Sequence, residues 1–275
     1  DPFYYPFLRP MNPLPHLRPP GATLRPRLKA CRVLGIDLGT TNSSVAELRW
    51  SPTNPDEITM AECLEVAQPT LSGEFTSVLL PSVVSHFSDR QLIGEGARRC
   101  LSRSVELGLR PNANYLAEAK NEMGIGRLYP QAKAGCRTPA EVSGQILRFL
   151  RDQVKGTVAR SVVTVPASFQ ISQREDTLLA ADLGGLTLGH GDLLDEPLAA
   201  FLDFIARQGQ SALDGISEET ETMIIDFGGG TCDVAIFTLR RQADGTLGVS
   251  PRAVSRYHRH GGADHDRAIE HAVRL

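Results

Sequence analysis

Asp37-Leu-Gly-Thr-Thr-Asn-Ser-Ser-Val-Ala46 and, 189 positions later, Asp226-Phe-Gly-Gly-Gly-Thr-Cys-Asp-Val-Ala235 are the stretches whose likeness decides the fold. Asp, Gly, Val and Ala coincide, and Leu38 matches Phe227 conservatively. Each stretch follows a short apolar run and precedes an alternating one, which reads as two strands across a tight turn. Each places a carboxylate at the end of a buried strand. Small residues follow it, and their backbone N–H groups can converge on an anion. Taken singly, each reads better as a plain β-hairpin, because Asp-Gly and Gly-Gly are common in turns; the match between the two makes phosphate binding the better reading. Two matching hairpins facing each other would grip a polyphosphate from both sides. Asp37 and Asp226 would hold Mg²⁺ through water, since Mg²⁺ keeps several waters.

Outward from these hairpins, strands alternate with helices, the pattern of an α/β fold. Order is expected from Val33. Ile58–Val66 and Ser82–Phe87 read as strands, Ala97–Leu107 and Asn114–Met123 as helices, and Met123–Thr138 as Gly-rich and irregular. Thr138, Pro139 and Glu141 form an N-cap, N1 and N3 signature, and Val142, Ile146, Phe149, Leu150 and Val154 continue as one apolar face. Ser161–Val165 is a continuous apolar strand, and Ser172 with Glu175 suggests a second capping box. That helix should end at Gly184-Gly185. Leu193–Leu194 ends a strand, Asp195 caps a helix to about Gln208, and Gly209–Thr222 is a polar loop. Met223–Asp226 and Thr231–Leu239 are strands, and Ala263–Leu275 is a helix that stops without a cap.

The chain has 275 residues, 41% hydrophobic and 22% charged, with a net charge of −3. That composition excludes a disordered chain, collagen and a small disulfide scaffold. It gives no reason to expect nucleic acid as a partner, and no apolar run is long enough to span a bilayer. The five scattered cysteines suggest neither zinc nor disulfides, and reduced thiols in a cytoplasm are expected. Residues 1–32 carry a balance of +5 and eight of the 18 prolines. They read as a disordered Pro/Arg-rich segment outside the fold. No GxxxxGK[ST] P-loop occurs. Gly94-Glu-Gly-Ala97 starts like a dinucleotide fingerprint, but Arg99 stands where its third glycine belongs. His258, His260, His265 and His271 lack metal-site spacing and read as a polar surface cluster.

Several further motifs then carry a family resemblance. Gly35-Ile-Asp-Leu-Gly-Thr-Thr-Asn42 resembles the first phosphate motif of the Hsp70 chaperones, within the actin-like ATPase superfamily, and Asp226–Thr231 resembles the second. Ala119-Lys-Asn-Glu-Met-Gly124 resembles the segment with the family's catalytic lysine, and Val163-Thr-Val-Pro-Ala-Ser-Phe169 the strand and loop around its proline switch. Asp195-Glu-Pro-Leu-Ala-Ala200 is similar to the connection motif, and Gly261-Gly-Ala-Asp-His-Asp266 to Gly-Gly-Glu-Asp-Phe-Asp. The motifs occur in the family's order.

The resemblance implies an actin-like (ribonuclease H-like) ATPase fold. Residues 33–210 would form the first lobe with a reduced upper subdomain, and 211–275 the beginning of a second. It implies ATP/ADP and Mg²⁺ as ligands, with Asp37 and Asp226 organising the metal's water shell. Gly39, Thr40, Thr41, Asn42, Gly228, Gly229, Gly230, Thr231, Gly261 and Gly262 would bind nucleotide. Lys120, Glu196, Asp233 and Thr231 would be catalytic, the lysine stabilising charge and the carboxylates orienting water. Pro166 and Arg174 would relay nucleotide state. Without the motif, Lys120 would read as a solvated helix residue, Glu196 as a first-turn acid and Arg174 as an exposed one. Implied partners are unfolded client polypeptides, bound through a further domain, a J-domain co-chaperone and a nucleotide exchange factor, all in the cytoplasm and without membrane.

Two other families share parts of the pattern. A filament protein like the bacterial actin MreB shares Asp-x-Gly-Gly-Gly-Thr and Glu-Pro-x-Ala-Ala, and the short Gly124–Thr138 region favours it. Thr40-Thr41-Asn42, the Lys120 segment and Thr-Val-Pro-Ala-Ser-Phe stand against it. A sugar kinase of the superfamily ranks last, because its second motif rarely carries Gly-Gly-Gly-Thr. The family departures are Ala263 for an acid, Asp195 for Asn, and the absence of the segments that grip adenosine. The chain alone is therefore expected to bind ATP weakly. Micromolar ATP binding in isothermal titration of residues 33–275 would overturn that expectation.

Overall fold

The computed structural model describes residues 17–18, 30–51, 62–208, 219–241, 247–256 and 261–273. In chain order the strands are β1 (Leu17–Arg18), β2 (Cys31–Asp37), β3 (Asn42–Trp50), β4 (Glu62–Cys63), β5 (Val66–Thr70), β6 (Gly73–Ser77), β7 (Leu80–Pro81), β8 (Val83–Phe87), β9 (Arg90–Ile93), β10 (Tyr115–Ala117), β11 (Arg160–Val165), β12 (Leu193–Asp195), β13 (Glu219–Phe227), β14 (Cys232–Arg241) and β15 (Leu247–Val254). The α-helices are α1 (Glu95–Cys100), α2 (Pro139–Asp152), α3 (Ile171–Leu183), α4 (Glu196–Gln208) and α5 (Gly262–Val273).

The first sheet runs β12-β11-β2-β3-β4, with β7 also pairing β3. β2 is antiparallel to β3 and parallel to β11, so the Asp37 strand sits between two partners. Leu34, Ile36, Val163 and Val165 from this sheet join Val142, Ile146, Leu147 and Leu150 of α2 in one buried core. The apolar stripe of α2 is what buries that face. A three-stranded sheet (β10-β8-β9) and the β5-β6 hairpin complete this half.

The second sheet runs β1-β15-β14-β13, with β13 antiparallel to β14. Phe201 and Ile205 of α4 pack against its Ala235, Phe237 and Leu239. The internal repeat aligns β13 with β2, and the two strands differ in cover. Leu34, Ile36 and Leu38 are 1%, 0% and 1% exposed, whereas their counterparts Met223, Ile225 and Phe227 are 61%, 61% and 53% exposed. Among the described residues, no strand pairs with the outer edge of β13 and no helix like α2 covers this row.

Several sequence expectations are corrected. The first strand starts at Cys31 rather than Val33, and Leu17–Arg18, from the segment expected to lie outside the fold, pair with Leu247–Gly248. Asn114–Met123 is not one helix: Tyr115–Ala117 pairs with β8, and only Ala119–Glu122 turns, as a 3₁₀ helix. Ala97–Leu107 shortens to α1 plus the 3₁₀ turn Leu101–Arg103. The Ser172/Glu175 box gives way to Gln170 and Gln173, because the helix starts two residues earlier than a Ser172 cap implies, and the Gln170 N–H donates to Gln173 Oε1 at 3.0 Å. Thr138 does cap α2, its Oγ1 accepting from the Glu141 N–H at 3.1 Å, but the Glu141 carboxylate accepts from Arg137 N–H instead of Thr138. The strand β15 was not anticipated, since Pro251 interrupts its pattern. The ladder tolerates that proline where the register shifts between Ile236 and Phe237. The apolar side chains of α4, Phe201 and Ile205, pack on the second sheet although α4 follows directly from β12 of the first.

Ile58, the His258–His260 stretch and most of the Gly209–Thr222 loop lie outside the described residues. Among the described residues no helix is long and apolar enough to cross a membrane. The burial contrast sets a stability test by urea unfolding. Leu147→Ala, which truncates a fully buried side chain, should cost about 2–5 kcal/mol, and Met223→Ala no more than about 0.5 kcal/mol.

Candidate functional site

The site forms where the turns of the two matching hairpins meet. The first turn, 38–41, joins β2 to β3, with Asp37 opposite Ser44. Ser82 fastens it, its Oγ donating to Gly39 O at 2.7 Å and its N–H to Thr41 O at 2.8 Å. The second turn, 228–231, joins β13 to β14, with Asp226 opposite Asp233 and the Gly228 N–H donating to Thr231 O at 2.9 Å. A Cβ on Gly229 would run into the Thr41 side chain, and one on Gly230 would lie 2.6 Å from the Thr40 methyl. The turns therefore touch across the two sheets with no room for a side chain. Gly261 closes the third side: a Cβ there would lie 2.6 Å from Gly230 N and 2.7 Å from Gly228 O. Gly262 N–H donates to Gly228 O at 3.0 Å, seating the start of α5 on the second turn.

Around the turns stand the charged groups. Lys120 lies in the 3₁₀ turn after Glu118, a non-glycine residue held at φ 55°. It is only 6% exposed, so the solvated-lysine reading fails. Its Nζ donates to Glu196 Oε1 at 2.5 Å and lies 5.9 Å from the centre of the Phe169 ring. Glu196 opens α4 directly after β12. Burial pushes its carboxyl up from the ordinary value; Lys120 opposes this, while Asp37 and Asp226 add to it. The Asp226 carboxyl is likewise raised, by burial first and then by Asp233 and Asp37, against the pull of Lys120. Three aspartates thus share a neighbourhood with one lysine.

The sequence reading missed three groups that hold these residues. Thr164 Oγ1 donates to Asp37 Oδ1 at 2.7 Å. Ser168 Oγ donates to the buried Asp233, bridging the loop after β11 to the second sheet. Thr40 Oγ1 donates to Asn121 Oδ1 at 3.1 Å. All three lie inside the quoted motifs, and the outward alternation of Thr164 in Ser161–Val165 was the available signal. Arg174 is anchored, with Nε donating to Phe169 O at 3.1 Å and an Nη to Asp195 Oδ1 at 2.6 Å. Pro166 O accepts from Phe169 N–H, so Pro166, Phe169, Arg174 and Asp195 form a continuous link to Glu196. Asn42 begins β3 opposite Pro81. Of the residues nominated from the sequence, Thr40, Thr41, Gly229, Gly230 and Gly261 meet at the turns, whereas Pro166 and Arg174 reach the site only through Phe169, Asp195 and Glu196. His265 packs edge-on against Phe227 at 5.6 Å instead of joining a metal group.

The residues fit a divalent cation with phosphates. Like-charged carboxylates raise one another, which a cation relieves, and the turns offer backbone N–H groups to an anion. Among the described residues no three His, Cys, Asp or Glu side chains stand close enough to hold a metal directly. A cation here would complete its shell with water and phosphate oxygen, as Mg²⁺ does.

Comparisons with known proteins identify the family. A family model described as "Hsp70 protein" matches residues 120–274. The chaperone protein DnaK of Mycoplasma mobile is 33% identical over 242 residues, covering 86% of this chain and 34% of that protein. An HscA homologue of Pseudomonas paraeruginosa is 31% identical over 275 residues, covering 91% and 38%. The chain thus spans about a third of the length of the curated relatives it matches.

The raised Asp226 carboxyl carries a pH signature. A raised folded-state pKa binds the proton more tightly in the folded chain. Its stabilising contribution is full below the ordinary value of 3.8 and is lost as pH rises through the folded value. Asp226→Asn, neutral at every pH, should raise the thermal midpoint of the ligand-free chain at pH 7.5, by about 2–4 °C per kcal/mol relieved. The gain should shrink as the pH approaches 4, which melting curves across pH would read directly.

Proposed function

Because the chain belongs to the Hsp70 family, we propose that it is the part of an Hsp70-type chaperone that binds Mg²⁺–ATP between the two hairpin turns and hydrolyses it. The single observation that carries this reading is the contact of the Gly229–Gly230 turn with Thr40 and Thr41, beside a buried Lys120–Glu196 pair. A plain hairpin pair has no reason to bring a buried lysine and four carboxylates to one seam.

In this reading Gly39, Thr40, Thr41 and Asn42 on one side, and Gly228 to Thr231 on the other, hold the phosphates. Gly261 and Gly262 back the second turn. Asp37 and Asp226 hold Mg²⁺ through its water, and the metal supplies neutralisation of phosphate charge. Phosphoryl transfer asks for positioning and charge compensation more than for covalent chemistry. Lys120 supplies positive charge where negative charge builds on the terminal phosphate. Glu196, already raised toward its neutral form, and Asp233, held by Ser168, orient the attacking water. Thr231 adds a hydroxyl beside the phosphate.

Pro166 and Arg174 would pass the state of the site onward. Arg174 binds both the loop after β11 and Asp195, so a shift of Glu196 pulls on both. Driving folding of client polypeptides, with a J-domain co-chaperone and a nucleotide exchange factor in the cytoplasm, is the role proposed for the whole protein. The DnaK and HscA relatives favour this over the filament and sugar-kinase readings.

Single-turnover hydrolysis by the full chain at millimolar Mg²⁺–ATP tests the assignment. Lys120→Ala should slow it by about 10²–10³-fold. A rate that Lys120→Ala leaves unchanged would discard the site.

A further inference from the structure

Away from the hairpin seam, the glycine-flanked stretch Gly94-Glu-Gly-Ala97 opens α1 beside a cleft of about 500 Å³. That is within the size range of sites that take ligands. The cleft lies between the tip of the β5-β6 hairpin and α1, and Arg98, Arg99 and Arg103 line it together with Thr70, Leu71 and Ser72.

The arginines are organised by a buried charge. Glu95 is 4% exposed, and its two carboxylate oxygens each take one guanidinium. Arg98 Nε donates to Oε2 at 2.8 Å, and Arg99 Nε donates to Oε1 at 2.7 Å. Glu95 is itself fixed, its N–H donating to Oε1 of the fully buried Gln68 at 2.8 Å. Arg99 also lies 5.0 Å from the centre of the Phe75 ring, a stacking distance. The third arginine, Arg103, pairs with Glu106 on its own turn.

Burying a carboxylate is costly unless it is well paired. Here the burial sets two guanidinium groups side by side at the surface, each with further N–H donors. Arg98 and Arg99 are 60% and 49% exposed at their side chains. The carboxylate lies beneath and the cations above, so the cleft presents positive charge on a chain whose net charge is −3. Preorganised arginines lose little freedom on binding, and arginine is enriched among residues that dominate protein interfaces.

The rim carries an apolar side chain beside the arginines: Leu71 lines the cleft and is partly exposed. A phosphate ion or a nucleic acid backbone makes no use of such a rim. An acidic segment of polypeptide carrying apolar side chains uses both parts.

We propose that this cleft docks an acidic, partly apolar peptide segment of a partner protein, its carboxylates on Arg98, Arg99 and Arg103 and its apolar side chains on Leu71. The site is separate from the nucleotide seam and stands whether or not that seam hydrolyses ATP.

Fluorescence anisotropy with the full chain tests it. The probe is a fluorescein-labelled peptide of about twelve residues built from Glu, Asp and Leu, compared with the same peptide carrying Lys for the acids. The acidic peptide should bind saturably and weaken as salt rises. Arg103→Glu, at an exposed side chain, should weaken it at least about tenfold, and Leu71→Asp should do the same, both with unchanged thermal melting. Absence of saturable binding, equal binding of the lysine peptide, or indifference to both variants would overturn the proposal. Displacement by inorganic phosphate at the peptide's own affinity would show a simple anion site and would overturn it too.

Discussion

The contact of two turns with no space for a Cβ between them is the constraint from which the rest of the structure follows. Gly229 and Gly230 meet Thr41 and Thr40 so closely that any larger residue would push the sheets apart. That approach sets the distance between Asp37 and Asp226, each at the end of the strand before its turn. It also brings Ser168, on the first sheet's side, within reach of Asp233 on the second. A fold that only needed two stable hairpins would have no use for such tolerance at the turns. Backbone that must lie against another backbone, or against a phosphate, does need it.

The electrostatics run against stability in the same place. Burial and mutual repulsion raise Glu196 and Asp226, and one lysine does not offset them. Such tension is characteristic of sites built to receive charge from outside the chain. Hydrogen bonds from Thr164 to Asp37 and from Ser168 to Asp233 hold two of the carboxylates, and Asn121 accepts from Thr40 in the first turn. Rigidity at the seam therefore rests on neutral side chains, which stay in place whether the carboxylates are charged or not.

How far the site was legible in the sequence depends on which residues are considered. The repeated Asp-x-Gly motif was readable because two copies of a short pattern are much rarer than one. Lys120 was readable only through its neighbours, since nothing in a lone lysine shows that it will be buried. The neutral partners were not readable, because a threonine or serine bonds to whatever tertiary contact brings near. The same limit explains the misread elements. Asn114–Met123 has helical spacing, yet Tyr115–Ala117 is captured by β8, since pairing to an available strand outweighs weak local preference. β15 hid behind Pro251, which a bulge accommodates. The helix α2 was legible end to end, because cap, proline and apolar stripe all agreed.

The uncovered row on β13 has a consequence for the life of the polypeptide before and after it folds. Glu219 and Glu221 precede Met223, Ile225 and Phe227 on the same face, and each acid is paired, to Arg240 and Arg252. Charge thus guards one end of the strand, and at the other His265 packs against only the edge of the row at Phe227, while among the described residues no strand pairs with that side of β13. Surfaces of that kind recruit stray strands and seed aggregates.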